Sequence, residues 1–568
     1  MAVLLEKKYR KGKCYWYASE KKRVNGRVKR IFQTYLGSQD QCLRRLLGHD
    51  PSPRPPTVLK YGAVMALLHG AQALGLVDLM DQYMVKQPDK DTRFYNPHNP
   101  NLPSLGTYLL LAAVNRCIAS TSKRDMYHWF STTSLKRHWP AFTPHMLSSQ
   151  CFWDAMQVFH ERHLCEMTRL ITERVFQVYG DIDRSCLLVD ETNYYTFIDT
   201  FNQRTTLAQR GNNKQHRNNL RQVGYMLMVT QDSHIPVFYL CYQGNHNDIT
   251  VFKTHLAHML ETAKRLTPGA DVTVVFDKGN VSTEVMQRLQ EELYFVTSLI
   301  PSHHEDLLQA SVDHLQCLRP TSQEHEEILA YVTTKKLWGK HQKIVIGYSP
   351  SFFEAQTQSL LLQIHKAETK LQAIQQALSG SEASHTGRPR SVAEIRSRVD
   401  KILNHDHLNQ LMTYTISGRR SRTLTFQLDE EKLQEYIRLY YGKTIHVTNR
   451  TEWSALDIIQ AYRDQAMIEA CIKETKGMKH SLWWPMGHWT DQKIHVHGFY
   501  TFLALLLKSV VQKKLQDHGI RRSWHAVVSD LDAIYEVVDL AYEQGQLVAR
   551  MRLSTMNESQ EELFRVLL

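Results

Sequence analysis

At 568 residues, with 42% hydrophobic and 22% charged residues, the chain has the make-up of a globular protein and is too long for one core, so roughly two to four domains are expected. A net charge of +12 favours a polyanionic partner. No apolar run is expected to reach the roughly 18–20 residues that cross a bilayer; the start MAVLLEKKYRKGK lacks an apolar h-region; and nine cysteines form no CxxC pair. Together these exclude a membrane partner and a secreted, disulfide-built protein from the expectation and leave a cytoplasmic one with reduced thiols.

The charge is concentrated at the start. Residues 1–50 hold 13 Lys/Arg against 4 Asp/Glu, and aromatics (Tyr9, Tyr15, Trp16, Tyr17) are interleaved with the bases. Bases suit phosphates and flat rings suit sugars or unstacked bases; a solvated basic hairpin would look the same. Residues 13–36 alternate as strands around Asn25-Gly26, a hairpin turn signal, and the Pro-rich stretch 51–56 reads as a linker. From 58 to 180 the apolar period is helical, as in YGAVMALLHGAQALGLVDLM and GTYLLLAAVNRCIAS, which predicts a helical domain.

From Ser185 the pattern turns to strands: SCLLVDE, YMLMVTQ and PVFYLCYQ, then a helix over 248–266, the strand DVTVVFDKG, a helix over 282–292 and the strand YFVTSLIP. Residues 301–445 add short strands (AYVTTKKL, KIVIGY, TYTIS, TLTFQL), a helix over 354–378 and the polar tract SGSEASHTGRPR. A helical segment over 454–477 and the apolar helix HGFYTFLALLLKSVVQ follow, with further helices expected to the C-terminus.

Two acids stand where strands are expected to end: Asp190 after the first core strand and Asp277 after the fourth. A third, Glu469, lies on the helical segment, where Tyr462, Gln465, Glu469, Lys473 and Lys476 fall within an arc of about 80° at about 100° per residue. Met467, Ile468, Cys471 and Met478 are expected on the opposite, core-facing side. Clustered carboxylates of this kind hold hard divalent cations, and a pair of such ions about 3.5–4 Å apart can activate a water or 3′-hydroxyl and stabilise a leaving oxygen. A solvated helix face gives the same periodicity.

These residues resemble bacterial insertion-sequence DDE transposases of the branch marked by the signature Tyr-x2-Arg-x3-Glu-x6-Lys, here Tyr462, Gln465, Glu469 and Lys476. LLVDETNYYTF is similar to the family's first-acid motif and VVFDKGNVS to its second. GNNKQHRNNLRQVGYMLMV, with Lys214 and Arg217, resembles the linking segment, and LWWPMGHWTDQKIHVHGFYTFLALLL the segment after the signature. The resemblance implies an α/β fold: an RNase H-like catalytic core (181–300 and 446–568) interrupted by a β-rich insertion domain (301–445), preceded by a basic β-hairpin (1–50) and the helical domain (58–180). It implies Asp190, Asp277 and Glu469 as catalytic and metal-binding residues for a pair of Mg²⁺ ions, with Mn²⁺ as substitute. It also implies DNA contacts from Tyr462, Arg463, Gln465, Lys473, Lys476, Lys214 and Arg217, and a homodimer on paired transposon ends acting on double-stranded DNA in a bacterial, nucleoid-associated setting. The expected reaction is cut-and-paste: hydrolytic nicking, hairpin formation, hairpin opening and strand transfer into target DNA.

The chain departs from the signature at Gln465, where the branch has arginine, and at Ala466, often tryptophan there. Gln keeps hydrogen bonding but loses the bidentate charged grip on phosphate; Arg463, Trp453, Trp483 and Trp484 are the nearest substitutes in sequence. A non-catalytic DNA-binding remnant, or a nuclease that never joins strands, would share the other features. No Cys/His set has zinc spacing, and His497 is expected in a packing or hydrogen-bonding role.

Overall fold

A computed structural model describes residues 3–24, 27–47, 57–87, 102–211, 217–267, 271–320, 326–379, 391–404, 407–418, 422–476, 482–484, 486–543 and 546–568. The turn Asn25-Gly26, the Pro-rich stretch 51–56, Lys214, Met478 and most of the tract SGSEASHTGRPR lie outside these residues. The chain divides into two compact units, Met1–Val274 with Asp464–Leu568, and Val275–Arg463.

In the first unit, β1 (Leu4–Arg10), β2 (Lys13–Val24) and β3 (Arg27–Ser38) form an antiparallel sheet. Pleating sends alternate residues to opposite faces. Val3, Ala18, Phe32 and Leu36 form a small core with Cys42 and Trp16, while Lys8 stands opposite Tyr15, and Glu6 opposite Tyr17, on the other face. The expected helical domain contains seven helices among the described residues from Gly62–Ala73 to Glu161–Val178. Ahead of them, β4 (Thr57–Lys60) is a strand, not the predicted helix start. It pairs with Tyr535–Glu543, one arm of a C-terminal hairpin completed by Gln546–Leu553, in a region expected to be helical. The physical reason is non-local: β4 finds its hydrogen-bond partner more than 470 residues away, which no local window reports.

The next strands of this unit are β5 (Cys186–Thr196), β6 (Gln209–Arg210), β7 (Arg221–Thr230) and β8 (Pro236–Gln243), antiparallel, with β7 between β5 and β8. Central β7 is buried along almost its whole length, as its unbroken run QVGYMLMVT requires. The helix Asp248–Leu266 has the predicted bounds, with Asn247 capping its start by accepting from Thr250 N at 2.9 Å. β9 (Thr273–Phe276) begins beside β5, where Thr273 N–H donates to the Ser185 carbonyl at 2.7 Å. The helix Asp491–Asp517 corrects the expectation that no membrane-length apolar segment exists: by length and composition it qualifies, and 94% of its most apolar window is buried. It is apolar all round because helices Gly62–Ala73, Leu105–Ile118 and Glu161–Val178 and strand β8 pack around it. Gly498 permits the close approach to β8, since a Cβ there would lie 2.4 Å from the Cys241 sulfur.

In the second unit, β10 (Tyr294–Leu299), β11 (Gln316–Arg319), β12 (Ile328–Leu337) and β13 (Lys340–Tyr348) are joined by the hairpin β14 (Met412–Ser417) and β15 (Thr423–Leu428), and by β16 (Lys443–Thr448). β16 lies between β13 and β10, and the order β11-β12-β13-β16-β10 is antiparallel throughout. The 30-residue helix Pro350–Ser379 packs Leu360, Ile364, Ala367 and Leu371 into a separate small core with β14 and β15.

Candidate active site

The first unit places Asp190 and Glu469 on elements that pack together. Cys186–Val189 are buried on both faces; from there buried Thr192, Tyr194 and Thr196 alternate with half-buried Glu191, Asn193 and Tyr195. Asp190 does not end its strand as expected: pairing with β7 continues to Thr196 opposite Arg221. Asp190 is half-buried, its Oδ1 accepts from Glu191 N at 2.8 Å, and the two-residue period puts it on the same face as Tyr194. The Gln465–Lys476 helix is fixed against this strand at both ends. Gln465 Nε2 donates to the Val189 carbonyl at 2.6 Å, and the Tyr194 and Thr475 hydroxyls bond to each other. Tyr194 also stacks on Trp483 with ring centroids 4.2 Å apart.

The expected polar stripe does not form. Residues 454–477 make two helices, Ala455–Arg463 and Gln465–Lys476, separated at Asp464, whose carboxylate accepts from Gln231 Nε2 at 2.5 Å. In the second helix the buried face is Gln465, Ile468, Ile472 and Thr475, and Met467 is 44% exposed. Gln465 is buried with its Nε2 bonded to a backbone carbonyl of β5, while its Oε1 is buried without a hydrogen-bond partner among the described residues. Glu469 and Lys473 are exposed and paired at 3.6 Å, a contact worth little in water. Lys476 is half-buried with its ammonium 5.5 Å from the Tyr194 ring centre, and Cys471 is half-buried.

Asp277 belongs to the second unit, where it is exposed directly after β9. Its Oδ1 accepts from the Tyr462 hydroxyl at 3.1 Å, and its Oδ2 from Gly279 N at 3.4 Å. The Tyr462 oxygen also lies 2.7 Å from Ser298 Oγ on β10, and its ring packs 4.8 Å from that of His446. His446 is buried, which with nearby Arg463 pushes its pKa down to about 3. Neither Ser298 nor His446 was picked out from sequence.

Among the described residues no three His, Cys, Asp or Glu side chains gather into one metal cluster. Carboxylates are the donor type that hard cations take, and Asp277 accepts one hydrogen bond on each oxygen, which leaves further lone pairs on both.

Sequence reasoning also missed how the Trp483–Trp484 segment is held. Arg116 Nη1 donates to the Trp484 carbonyl at 2.5 Å, and His497 Nε2 lies 2.8 Å from the Trp483 carbonyl. His497 Nδ1 meets His488 Nε2 at 2.8 Å, so the hydrogen-bonding role expected for His497 is what the structure contains. Burial lowers the pKa of both histidines. The signal in the sequence was Arg116 within the apolar run LGTYLLLAAVNRCI, and in the structure this arginine is buried. Tyr195 rests on Trp484 at 4.5 Å, with the Arg217 guanidinium 4.5 Å over its ring.

The sheet β1–β3 carries Lys8, Arg10, Lys13, Tyr15 and Tyr17 on one face by strand alternation and pairing. Tyr35 joins them, 6.0 Å from Tyr15 and 5.3 Å from Tyr17 between ring centres.

In comparisons with known proteins, the solved piggyBac transposase synaptic complex with hairpin DNA is similar to this chain at 9% identity and a TM-score of 0.32, over 82% of this chain and 79% of that one. No curated protein matches. Residues 181–483 match the family described as Transposase DDE domain. That match takes in more than half of the chain, including β5, β9 and the Gln465–Lys476 helix, and the chain belongs to the Transposase DDE domain family.

Proposed function

We propose that this chain is a metal-dependent DNA transposase that cuts an insertion sequence from double-stranded DNA and joins it to target DNA, in the branch with the Tyr-Arg-Glu-Lys signature. The observation that carries the reading is that the family match over 181–483 contains Asp190, Asp277 and Glu469. It is supported by the packing of the Gln465–Lys476 helix on the strand of Asp190 and by the Tyr462 bond to Asp277. In this reading the three acids hold a pair of Mg²⁺ ions, or Mn²⁺, which when bound supply an activated water or 3′-hydroxyl and stabilise the leaving oxygen. Tyr462 orients Asp277, while Lys473 and Lys476 lie one and two turns beyond Glu469 to meet phosphate. Gln465, bonded to Val189, serves the fold of the site and leaves phosphate contact to Arg463 and Arg217. Lys214 is assigned to DNA by resemblance.

The RNase H-like core, with 301–445 as its insertion, is part of the same proposal. So are a homodimer on paired ends, a nucleoid-associated cytoplasmic setting, and DNA contact by the basic sheet and helical domain. The test is cleavage of a plasmid carrying the gene with its native flanks, by wild type and by Asp190→Ala, Asp277→Ala and Glu469→Ala, with Mg²⁺, Mn²⁺ or EDTA. A discrete fragment is expected only with metal and wild type, followed by joined products. Binding without cleavage in either metal would favour a DNA-binding remnant, and cleavage without joining a nuclease.

A further inference from the structure

We propose that Phe201 is a wedge that enters the base stack of duplex DNA lying along the loop after β5; the assignment rests on the transposase reading. Phe201 is 89% exposed, more than any other large apolar side chain among the described residues, and Phe197 is 72% exposed. A mobile loop would turn such rings inward, but this loop is pinned on both sides. Phe201 N donates to Asp199 Oδ1 at 2.7 Å, and Asn202 N to the Asp199 carbonyl at 3.1 Å. Arg221 bonds the Asn202 carbonyl at 3.0 Å and also the Thr200 carbonyl, and Arg210 Nη2 reaches Thr200 Oγ1 at 2.9 Å. Further on, Asp491 accepts from Thr205 Oγ1 at 2.6 Å, Thr206 N at 2.9 Å and Leu207 N at 3.0 Å. The ring is therefore held out in water by its backbone.

Charge identifies the occupant. Arg204, Arg210 and Arg217 are exposed around the loop, and its acids, Asp199 and Asp491, are engaged in the hydrogen bonds just described. Arginines meet phosphates, and an exposed phenyl ring among them suits the gap between adjacent base pairs, where apolar wedges unstack a step. The loop is also continuous with the candidate site: Phe197 meets Tyr195 edge-on at 5.7 Å, and Tyr195 lies in the same strand as Asp190. The loop that carries Phe201 thus leaves the same strand that carries Asp190.

The test uses the full chain and duplexes carrying the DNA that flanks the gene, with 2-aminopurine walked through successive positions. Wild type should raise 2-aminopurine fluorescence several-fold at one or two neighbouring positions. Phe201→Ala should lose that rise and bind about tenfold more weakly, while Phe201→Trp keeps both; thermal unfolding of the variants should match wild type because the side chain is 89% exposed. Equal fluorescence with Phe201→Ala would overturn the wedge and leave the transposase reading standing. So would a change of oligomeric state with DNA affinity unaltered, which would put the ring on protein. Failure of wild type to bind any of the duplexes would overturn both.

Discussion

The Tyr462 hydroxyl lies between two partners, donating to Asp277 Oδ1 at 3.1 Å while Ser298 Oγ approaches it at 2.7 Å. Tyr462→Phe keeps the ring on His446 and removes the hydroxyl that braces Asp277. A hydrogen bond to a charged group is worth about 1.5–3 kcal/mol, equivalent to about 10- to 100-fold in rate if the missing bond fixes a metal ligand. Cleavage by Tyr462→Phe should fall by that amount with a higher half-saturating Mn²⁺ concentration and an almost unchanged unfolding midpoint. His446, with its pKa pushed down to about 3 by burial, is neutral at every pH above that value, so the ratio of mutant to wild-type rates should be flat from about pH 5 to 8. A ratio that varies across this window would mean that another titrating group governs Tyr462.

Elements whose identity depends on local pattern were legible in the sequence. β7 and β8 announce themselves as unbroken apolar runs, and the helix Asp248–Leu266 has the bounds expected from the sequence. What eluded sequence reasoning depends on distant partners. Gln465 reads as polar surface until the Val189 carbonyl, 276 residues earlier, claims its Nε2, and the face it shares with Ile468, Ile472 and Thr475 is buried. The strand of Asp190 was legible as an element, but it continues past that residue because β7 pairs through Thr196. The N-terminal sheet was half legible: its hairpin followed from alternation, whereas β1 and the tyrosine face emerged only with the pairing register. That register makes a prediction for the sheet as a unit. Lys8, Arg10 and Lys13 share the face of Tyr15 and Tyr17, so replacing all three with Gln should weaken duplex binding. It should also reduce the slope of log affinity against log salt by about 0.9 for each phosphate that the variant no longer neutralises. Fluorescence anisotropy between about 50 and 200 mM salt measures this slope; an unchanged slope would show that the face meets something other than DNA.

For the chain as a whole, the first unit must bring together both of its ends, since it comprises Met1–Val274 and Asp464–Leu568. The pairing of β4 with Tyr535–Glu543 is one closure. Arg137 supplies another: its guanidinium forms an ion pair with Glu20 of β2 at 2.9 Å and bonds Glu536 of the C-terminal hairpin, whose second oxygen accepts from Ser134 Oγ at 3.0 Å. All three charged side chains are buried. Removing one member of such a network leaves uncompensated charge in a poorly solvated place, whereas removing the charges together does not. Arg137→Met should therefore cost about 3–5 kcal/mol by leaving Glu20 and Glu536 buried without their cation. Adding Glu20→Gln and Glu536→Gln should recover most of that stability, and urea unfolding of the full chain, followed by tryptophan fluorescence, distinguishes the two. If the triple variant is no more stable than Arg137→Met, packing by the arginine stem, rather than charge balance, closes the unit. If Arg137→Met itself costs nothing, the strand pairing with β4 suffices to join the two ends.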